Sequence, residues 1–359
     1  MTLQTRLEAL LTKAVAAGVT PSASCAVRRD GADGAAVIVG DAVRFGHDGR
    51  ELEPAERTPA HAGTRYDLAS VTKVVTAVTA LTLVQDSLLS LDVPVAEWLP
   101  AFRLEDKRAV TLRQLLSHTA GLPPTWNGWR QYPPGGRAGR LADLLATPLV
   151  TAPGMAFVYS CVGYNTVMAL AEAVSRRPWA ELVTERVLGS DAGFGFGAEE
   201  DDCAATEYQP ELGRGMVRGV VHDESAWSLG GVAGNAGLFA TAEALLAFGE
   251  RMRGGLPGLL SPDLEAELWT DQLPQILPAG DSGAGFGQGL GLRIGQRPWM
   301  GCSGSQARGH NGFTGTSLLM DRGRGVSVVL LTNRVHPSRS CSDVLALRTA
   351  VSNAVYEED

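Results

Sequence analysis

A serine and a lysine stand three residues apart in the segment Ser70-Val71-Thr72-Lys73. If the segment is helical, residues at this spacing share one face, so the hydroxyl and the amine can lie within hydrogen-bond reach. A serine hydroxyl is a poor nucleophile until a neighbouring base takes its proton. The segment is therefore a candidate nucleophile with its proton partner, and a helix N-terminus here would supply N–H groups that stabilise an oxyanion.

The lysine of this pair is unusual in the chain. Arginine supplies all of the 31 basic residues except Lys13, Lys73 and Lys107. Arginine stays protonated, whereas burial of Lys73 in the apolar run that follows is expected to lower its pKa from about 10.4 towards roughly 7 to 8. The alternative to a catalytic role, for an isolated pair of this kind, is that the lysine is solvated and the serine only caps the helix. Lys13 and Lys107 are predicted to be surface charges that arginine could replace.

Two further segments carry groups suited to acyl chemistry. Tyr159 precedes a predicted helix and could shuttle a proton when it lies close to cations, although taken alone it could equally be a core tyrosine. Residues 309–315 lead into a predicted strand, and their glycines would let that strand approach a ligand closely. A backbone N–H near Phe313 could complete an oxyanion hole with that of Ser70. The alternative for this segment is a β-turn with an exposed His310.

The composition excludes several classes of function. The 359 residues carry a formal net charge of -8 and form no basic patch, so nucleic acid is not an expected partner. The N-terminal segment has the spacing of an amphipathic helix and lacks the apolar core of a secretory signal. The longest apolar run, residues 74–84, is well short of the roughly 20 residues that span a bilayer. We therefore expect a cytoplasmic protein that does not bind membranes.

Motifs for cofactors and metals are also missing from the sequence. It has no glycine-rich nucleotide-binding motif and no H-E-x-x-H. The cysteines form no C-x-x-C pair, and the histidines lack the spacing of metal ligands. No cofactor and no metal are expected.

The periodicity of the chain predicts an α+β fold. Strands are predicted at residues 22–29, 35–45, 287–294, 314–320 and 326–333. Helices are predicted at both chain ends and at residues 68–89, 111–117, 163–175, 178–188, 242–252 and 262–269. We expect an antiparallel sheet domain built from both chain ends and flanked by helices, comprising residues 1–68 and 286–359. A mainly helical region, residues 69–285, is inserted and carries Ser70 and Tyr159.

These segments, in this order, resemble the serine β-lactamase and penicillin-binding-protein superfamily, in particular its branch of class C β-lactamases, D,D-peptidases and related esterases. The likeness covers most of the chain. The residues that carry it are YDLASVTK at 66–73, LRQLLSHTAGL at 112–122, YSCVGYN at 159–165, GVAGNAGL at 231–238 and HNG at 310–312. The resemblance implies a sheet flanked by helices, a helical domain beside it and an active site in the cleft between them.

Carried over to this sequence, the resemblance implies Ser70 as the acyl-accepting nucleophile, Lys73 as its proton partner and Tyr159 as base or acid for the leaving group. Which of Lys73 and Tyr159 removes the proton at each step stays open. The residues implied in the oxyanion hole and in substrate binding are Ser70, Phe313, His310, Gly312, Cys161 and Asn311.

Two departures from the superfamily pattern bear on the substrate. Cys161, a weak hydrogen-bonding group, stands where β-lactamases and D,D-peptidases have an asparagine, and His310, mostly neutral near pH 7, stands where they have a lysine. Both changes weaken recognition of an anionic β-lactam and favour the esterase and acyl-transfer members. We therefore predict a serine enzyme that forms an acyl-Ser70 intermediate from an ester or activated amide of a small molecule.

Several alternatives remain open at this point. The acyl group could pass to water or, in an ATP-independent transacylase of a biosynthetic pathway, to an amine or alcohol acceptor. The two reactions differ in whether the cleft excludes water, and loop aromatic residues could form a wall that does so or could simply pack: Trp126, Trp129, Tyr132 and Trp227. A β-lactamase or D,D-peptidase is less favoured, and a non-catalytic binding member of the fold is the alternative from another class.

The substitution Lys73→Arg tests the role of the lysine. We expect the variant to keep its fold but to lose acylation by about 10²-fold or more, because a guanidinium cannot give up its proton. The measurement is the rate at which a serine-reactive fluorophosphonate labels Ser70, read by mass spectrometry beside a circular-dichroism spectrum. A folded variant that labels at the wild-type rate would contradict the prediction.

Overall fold

Strands from the two ends of the chain lie side by side in the structure, a computed structural model that describes residues 1–131, 136–190, 193–279 and 284–357. The strands are β1 Ser22–Arg29, β2 Ala32–Val43, β3 Thr58–Pro59, β4 Tyr66–Asp67, β5 Phe194–Phe196, β6 Tyr208–Gln209, β7 Gly215–Met216, β8 Leu238–Ala240, β9 Gly287–Gln288, β10 Arg293–Ile294, β11 Arg308–Asn311, β12 Ser317–Asp321 and β13 Val326–Thr332. Within the described residues the main sheet has the order β3-β2-β1-β13-β12-β11-β10-β9, and its neighbouring strands are antiparallel. The predicted α+β fold with a sheet built from both chain ends is confirmed.

Helices cover this sheet and fill the middle of the chain. They are α1 Leu3–Ala16, α2 Thr72–Gln85, α3 Leu112–Leu116, α4 Arg137–Ala146, α5 Cys161–Ser175, α6 Trp179–Val183, α7 Glu224–Ser228, α8 Ala242–Arg253, α9 Pro262–Trp269, α10 Leu273–Ile276, α11 Arg297–Met300 and α12 Leu345–Tyr356. A π-helical turn, Thr184–Leu188, extends α6. None of the helices in the described ranges is both long enough and apolar enough to cross a membrane.

Both faces of the sheet are buried at its central strand β13, whose residues contribute to two apolar clusters. Along β13, Val328 and Leu330 pack in the cluster that contains α1, α11 and α12. Val329 and Leu331 point the other way, into the cluster that contains α2, α5 and α8. Successive side chains of a strand point to opposite faces, so a strand covered on both sides is apolar throughout. The second cluster links the sheet to the helices that carry the candidate site.

Helix α2 is enclosed by the protein on nearly all sides. Every residue from 72 to 83 is buried, and the helix contacts α5, α6 and α9. A helix that is apolar all round requires such an enclosure. Lys73 therefore enters the interior because it belongs to the first turn of a core helix.

The helix begins later than the predicted residue 68. Ala69–Val71 form a 3-10 turn ahead of α2, and Asp67 Oδ1 accepts the N–H of Ala69 at 2.7 Å. Ala69 has a φ of 46°, a left-handed conformation that costs an alanine roughly 1–2 kcal/mol. Ser70 thus lies on a strained turn at the entrance to the helix, where its side chain reaches solvent.

Other segments also differ from their predictions. The predicted strand at 287–294 is divided into β9 and β10, because the loop between them packs against α2: a Cβ at Gly291 would lie 2.7 Å from the Cβ of Ala77. The predicted strand from 314 begins only at Ser317, after a turn. Helix α4 was not predicted, because its flanking glycines and prolines are typical of a loop.

Lys107 is buried, so its prediction as a surface charge is wrong. Its side chain is 1% exposed, and Nζ donates a hydrogen bond to the carbonyl of Leu145 at 2.9 Å. Leu145 lies in the last turn of α4, where a cation is favourable beside the free carbonyl groups. The Nζ atom also lies 5.2 Å from the ring centroid of Phe102. The hydrogen-bond acceptor Leu145 is 38 residues away in sequence, which is why no local pattern revealed it.

Shortening one buried side chain of α2 tests how far the stability of the fold depends on the packing of this helix. Leu81 is fully buried in α2, and we expect Leu81→Ala to lower the free energy of unfolding by about 2–5 kcal/mol through the lost contacts and the cavity that remains. Urea denaturation followed by circular dichroism measures the change. Leu88 is 41% exposed just after the same helix, so Leu88→Ala is the control, with an expected change within about 0.5 kcal/mol. Equal losses for the two variants would contradict the prediction.

Candidate active site

The serine and lysine of the S-x-x-K segment are in contact, as their spacing predicts. Lys73 Nζ donates a hydrogen bond to Ser70 Oγ at 3.0 Å and another to the carbonyl of Asn235 at 3.1 Å. The Sγ of Cys161 lies 3.4 Å from the same nitrogen. An ammonium has three N–H donors, and each has an acceptor here. The lysine is thus held as a compact cation against the nucleophile.

The pKa of Lys73 differs from its prediction. Burial alone lowers the pKa, as expected, but the negative charges that Cys161 and Tyr159 carry when deprotonated outweigh burial and raise the pKa of Lys73 above its ordinary value. The expected shift towards roughly 7 to 8 is therefore wrong in direction. Lys73 is an ammonium at neutral pH, so the loss of acylation expected for Lys73→Arg has a different physical reason: a planar guanidinium cannot direct its N–H groups at the three convergent acceptors that the ammonium binds.

Tyr159 lies directly before α5, where a cap and a histidine fix the backbone. Ser160 caps the helix, since its Oγ accepts the N–H of Gly163 at 3.0 Å. The N–H of Ser160 donates to Nδ1 of His118 at 3.0 Å, and the His118 ring lies 4.5 Å from that of Tyr159. Burial, with the charges of Lys73 and Arg293, holds the pKa of His118 well below its usual range. A neutral His118 therefore anchors the tyrosine segment.

The carbonyl that binds Lys73 is placed by an asparagine of α5. Asn165 Oδ1 accepts the N–H groups of Gly234 and Asn235 at 3.0 and 3.1 Å. The hydroxyl of Thr76 in α2 donates to the carbonyl of Gly234 at 2.7 Å. The segment at 231–238 is thereby fixed between α2 and α5, with the Asn235 carbonyl directed at Lys73.

The turn between β11 and β12 is fastened to the turn that carries Ser70. The hydroxyls of Thr314 and Thr316 donate to the carbonyls of Asp67 and Leu68 at 2.7 and 2.9 Å. The approach is so close that a Cβ at Gly312 would lie 2.4 Å from the Leu68 carbonyl oxygen. Only glycine fits at this position, and the close approach brings Phe313 to the nucleophile.

A cleft of about 330 Å³ opens over the nucleophile. The residues that line it are Ser70, Tyr159, Arg293, Asn311, Gly312, Phe313, Arg334, Asp343 and Arg348. Five of the residues predicted for the site are among them. Lys73, Cys161 and His310 do not line this cleft in the described structure. The Sγ of Cys161 contacts Lys73, and the ring of His310 lies beside that of Tyr159.

His310 is a buried residue of β11, so the alternative of an exposed turn histidine is wrong. Its Nδ1 lies 2.8 Å from the carbonyl oxygen of Asn311, which requires a proton on Nδ1. Burial, with the charges of Arg293 and Lys73, holds the pKa of His310 well below its usual range. The ring stands 6.0 Å from that of Tyr159. His310 is thus a neutral group behind the tyrosine, whereas a lysine there would add a charge.

Arg293 is a cleft residue that the sequence analysis missed. It lies on β10 opposite Gly309 of β11, and its guanidinium carbon is 5.0 Å from the Tyr159 ring centroid and 5.8 Å from that of Phe286. Burial lowers the pKa of Arg293, and the charge of Tyr159 opposes that shift. The sequence feature that could have indicated this position is the glycine-rich segment before Arg293, whose glycines allow the strand to pass close to α2.

The aromatic residues considered as a wall of the cleft lie elsewhere or pack within the protein. Trp126 is buried and donates to Asp143 at 2.7 Å, and Trp227 lines a separate cleft beside Arg140. The guanidinium of Arg130 covers Trp129, and Tyr132 lies outside the described residues. Within the described ranges, no group of three or more His, Cys, Asp or Glu side chains could hold a metal ion.

Comparison with known proteins agrees with this fold. The family model described as Beta-lactamase matches residues 7–351. A protein of Escherichia coli (strain K12) named "Putative D-alanyl-D-alanine carboxypeptidase" is 30% identical over 333 residues, covering 81% of this chain and 73% of its own. A Salmonella typhimurium protein of the same name is 29% identical, covering 77% and 71%.

Solved structures share the fold over nearly the whole chain. EstCE1, "a hydrolase with promiscuous acyltransferase activity", has a TM-score of 0.72 at 23% identity and covers 99% of this chain and 98% of its own. Unliganded simvastatin synthase (LovD) from Aspergillus terreus has a TM-score of 0.75 at 18% identity and covers 100% of each chain. The family model matches most of this chain, and the Escherichia coli relative is 30% identical to it. Together they show that this chain is an enzyme of the beta-lactamase family of serine hydrolases and transferases.

Proposed function

We propose that this enzyme is a serine acyl-enzyme hydrolase or acyltransferase that acts on an ester or activated amide of a small molecule. The observation that carries the proposal is the 3.0 Å contact between Lys73 Nζ and Ser70 Oγ at the floor of an open cleft. The ring of Tyr159 lies 5.0 Å from the same Nζ. Nucleophile, cation and proton carrier are thus together where a carbonyl group can reach them.

In acylation, Ser70 Oγ forms a bond to the carbonyl carbon of the donor, and the π electron pair of the carbonyl moves to its oxygen. Tyr159 acts as the base that takes the Oγ proton, and the cations Lys73 and Arg293 lie over its ring. The N–H groups of Ser70 and Phe313 would stabilise the oxyanion. When the oxyanion collapses, the bond to the leaving group breaks, and the leaving group takes the proton from Tyr159.

Deacylation follows the same path in reverse. Water, an amine or an alcohol gives its proton to Tyr159 as its oxygen or nitrogen forms a bond to the acyl carbon. The bond from that carbon to Oγ then breaks, and Ser70 recovers the proton. The names of two structural neighbours, an acyltransferase-active hydrolase and a synthase, support the view that one site can serve either acceptor. The closest alternative is accordingly an ATP-independent transacylase of a biosynthetic pathway.

A carboxypeptidase acting on a peptide with a free carboxylate is the second candidate. Arg293 favours it, because an arginine in a cleft is suited to bidentate recognition of a carboxylate. The curated relatives are also named for D-alanyl-D-alanine carboxypeptidase activity. Cys161 weighs against it, since a thiol is a poor substitute for the amide that would bind a peptide group. We therefore keep the ester or activated amide as the leading substrate class.

Labelling and acceptor competition test this proposal. We expect a fluorophosphonate to modify Ser70 in the folded enzyme, and a short-chain aryl ester to be cleaved with release of acid or, with an amine acceptor present, of amide. Mass spectrometry and product chromatography are the measurements, with Ser70→Ala as the control.

The outcomes separate the candidates. Amide formation that outpaces acid favours transfer, and acid alone across varied acceptors favours hydrolysis. Faster turnover of a peptide that ends in D-alanyl-D-alanine than of any ester would favour the carboxypeptidase instead. Absence of label on Ser70 in folded protein would overturn the enzyme mechanism itself.

The pH profile of Cys161→Ser tests the electrostatic role of the thiol beside Lys73. Serine does not ionise, so the variant lacks one of the charges that raise the pKa of Lys73. Catalysis that needs the ammonium is lost as the pH rises through that pKa, and we therefore expect the alkaline limb of kcat/KM to move to lower pH. Aryl ester hydrolysis measures the profile, and Cys302→Ser, at an exposed thiol, is the control. An alkaline limb that stays in place or moves to higher pH would contradict the prediction.

A further inference from the structure

The peptide between Gly312 and Phe313 is held by a buried arginine of the last helix. Nη2 of Arg348, a residue of α12 that is 9% exposed, donates to the carbonyl of Gly312 at 2.6 Å and to that of Thr316 at 3.0 Å. The same peptide unit carries the N–H of Phe313. This N–H donates no hydrogen bond to any residue of the described ranges, and Phe313 lines the cleft beside Ser70.

The position before Phe313 must be glycine, and glycine makes the turn easy to distort. A Cβ at residue 312 would lie 2.2 Å from Thr316 Oγ1 and 2.4 Å from the Leu68 carbonyl oxygen, so no other residue fits. Glycine also populates a wide range of backbone dihedral angles. Within the turn, the Gly312 carbonyl accepts the N–H of Gly315 at the long distance of 3.2 Å, so a contact from outside the turn is needed to restrain this peptide further.

Arg348 supplies such a contact on the carbonyl side of the peptide. Because a trans peptide is planar, a fixed direction of the Gly312 carbonyl also fixes the opposite direction of the Phe313 N–H. A hydrogen bond from a charged donor is shorter and about twice as strong as a neutral one, and it polarises the amide to make its N–H a better donor. Burial lowers the pKa of Arg348 to about 10, so the guanidinium remains charged at neutral pH.

The next carbonyl along the chain is held in a similar way. Arg334 Nε donates to the carbonyl of Phe313 at 2.8 Å, and its guanidinium carbon lies 4.5 Å from the centroid of the Phe313 ring. Guanidinium groups therefore bind the carbonyls on both sides of the Phe313 α-carbon. The backbone at the proposed oxyanion hole is fixed by charged side chains from outside the turn.

We propose that Arg348 is a positioning residue of the oxyanion hole, which orients and polarises the Phe313 N–H through the carbonyl of Gly312. The inference rests on the proposed function, since it concerns the N–H that would bind the carbonyl oxygen of the acyl donor. Arg348 accelerates formation of the oxyanion rather than binding the acyl donor, so its removal affects kcat more than KM.

The test compares Arg348→Met and Arg348→Lys with the wild type on p-nitrophenyl acetate, a neutral ester that offers no carboxylate to a cation. Loss of a direct oxyanion-hole donor costs about 10²–10³ in kcat, and because Arg348 acts through a peptide we expect Arg348→Met to lose about 10- to 100-fold, with KM changed less than about threefold. Arg348→Lys keeps a charged donor and should recover part of kcat. The Ki of phenylboronic acid, whose tetrahedral adduct with Ser70 places an oxygen in the hole, should rise in step with the loss of kcat.

Arg218→Met is the control for general loss of packing. The Arg218 guanidinium also bridges two carbonyls, those of Cys203 and Asp201 at 2.8 and 3.2 Å, and it does not line the cleft in the described structure. An unchanged kcat for Arg348→Met, a raised KM with unchanged kcat, or an equal loss for Arg218→Met would overturn the inference. If Arg348→Met does not fold, the kcat values of Arg348→Lys and Arg348→Gln are compared instead. The inference requires a higher kcat for Arg348→Lys, and a higher kcat for Arg348→Gln overturns it.

Labelling of wild-type Ser70 by a fluorophosphonate is measured in the same experiment. A labelled wild type with an unaffected Arg348→Met overturns the role of Arg348 alone. A folded wild type that is not labelled overturns the proposed function and, with it, the inference.

Discussion

The candidate site depends on one buried cation. Lys73 has lost its hydration, and contacts from three separate segments replace it: the hydroxyl of Ser70 ahead of α2, the thiol of Cys161 at the start of α5, and the carbonyl of Asn235. A buried charge without such partners costs several kcal/mol. The requirement to surround this ammonium therefore fixes the relative positions of the nucleophile, the tyrosine segment and the loop before β8.

On the side of the cleft formed by the turn between β11 and β12, the backbone packs too closely against the turn that carries Ser70 to leave room for a side chain. Gly312 passes so close to the Leu68 carbonyl that no side chain fits between them. The hydroxyl of Thr316 binds this same carbonyl, and that of Thr314 binds the carbonyl of the preceding residue, Asp67. The main sheet and the core helix are thus joined at one short turn. Because the sheet is built from both chain ends, the nucleophile and the turn that faces it can be far apart in sequence and still form a rigid pair.

The sequence was sufficient for those features that depend on local patterns. The spacing of Ser70 and Lys73, the order of the motifs and the alternation of apolar residues predicted the α+β fold and the contact of nucleophile and lysine. The pKa of Lys73 was predicted in the wrong direction, because it is set by Cys161 and Tyr159, whose proximity only the folded chain provides. Arg293 was missed for the same reason, since the glycines before it indicate a close approach of the backbone but not that β10 adjoins the tyrosine.

The distribution of charge around Tyr159 bears on the proposed chemistry, because this chain has His310 where β-lactamases and D,D-peptidases have a lysine. His310 occupies that position as a neutral ring, since its pKa is held well below its usual range. The cation beside the tyrosine comes instead from Arg293 on the neighbouring strand, 5.0 Å from the ring centroid. An arginine cannot exchange protons at neutral pH, so in the proposed mechanism it can stabilise negative charge that develops at Tyr159 without taking part in the proton transfer. In the proposed mechanism, proton movement is then confined to Ser70, Tyr159 and the acyl donor or acceptor, while Lys73 and Arg293 provide a constant positive field.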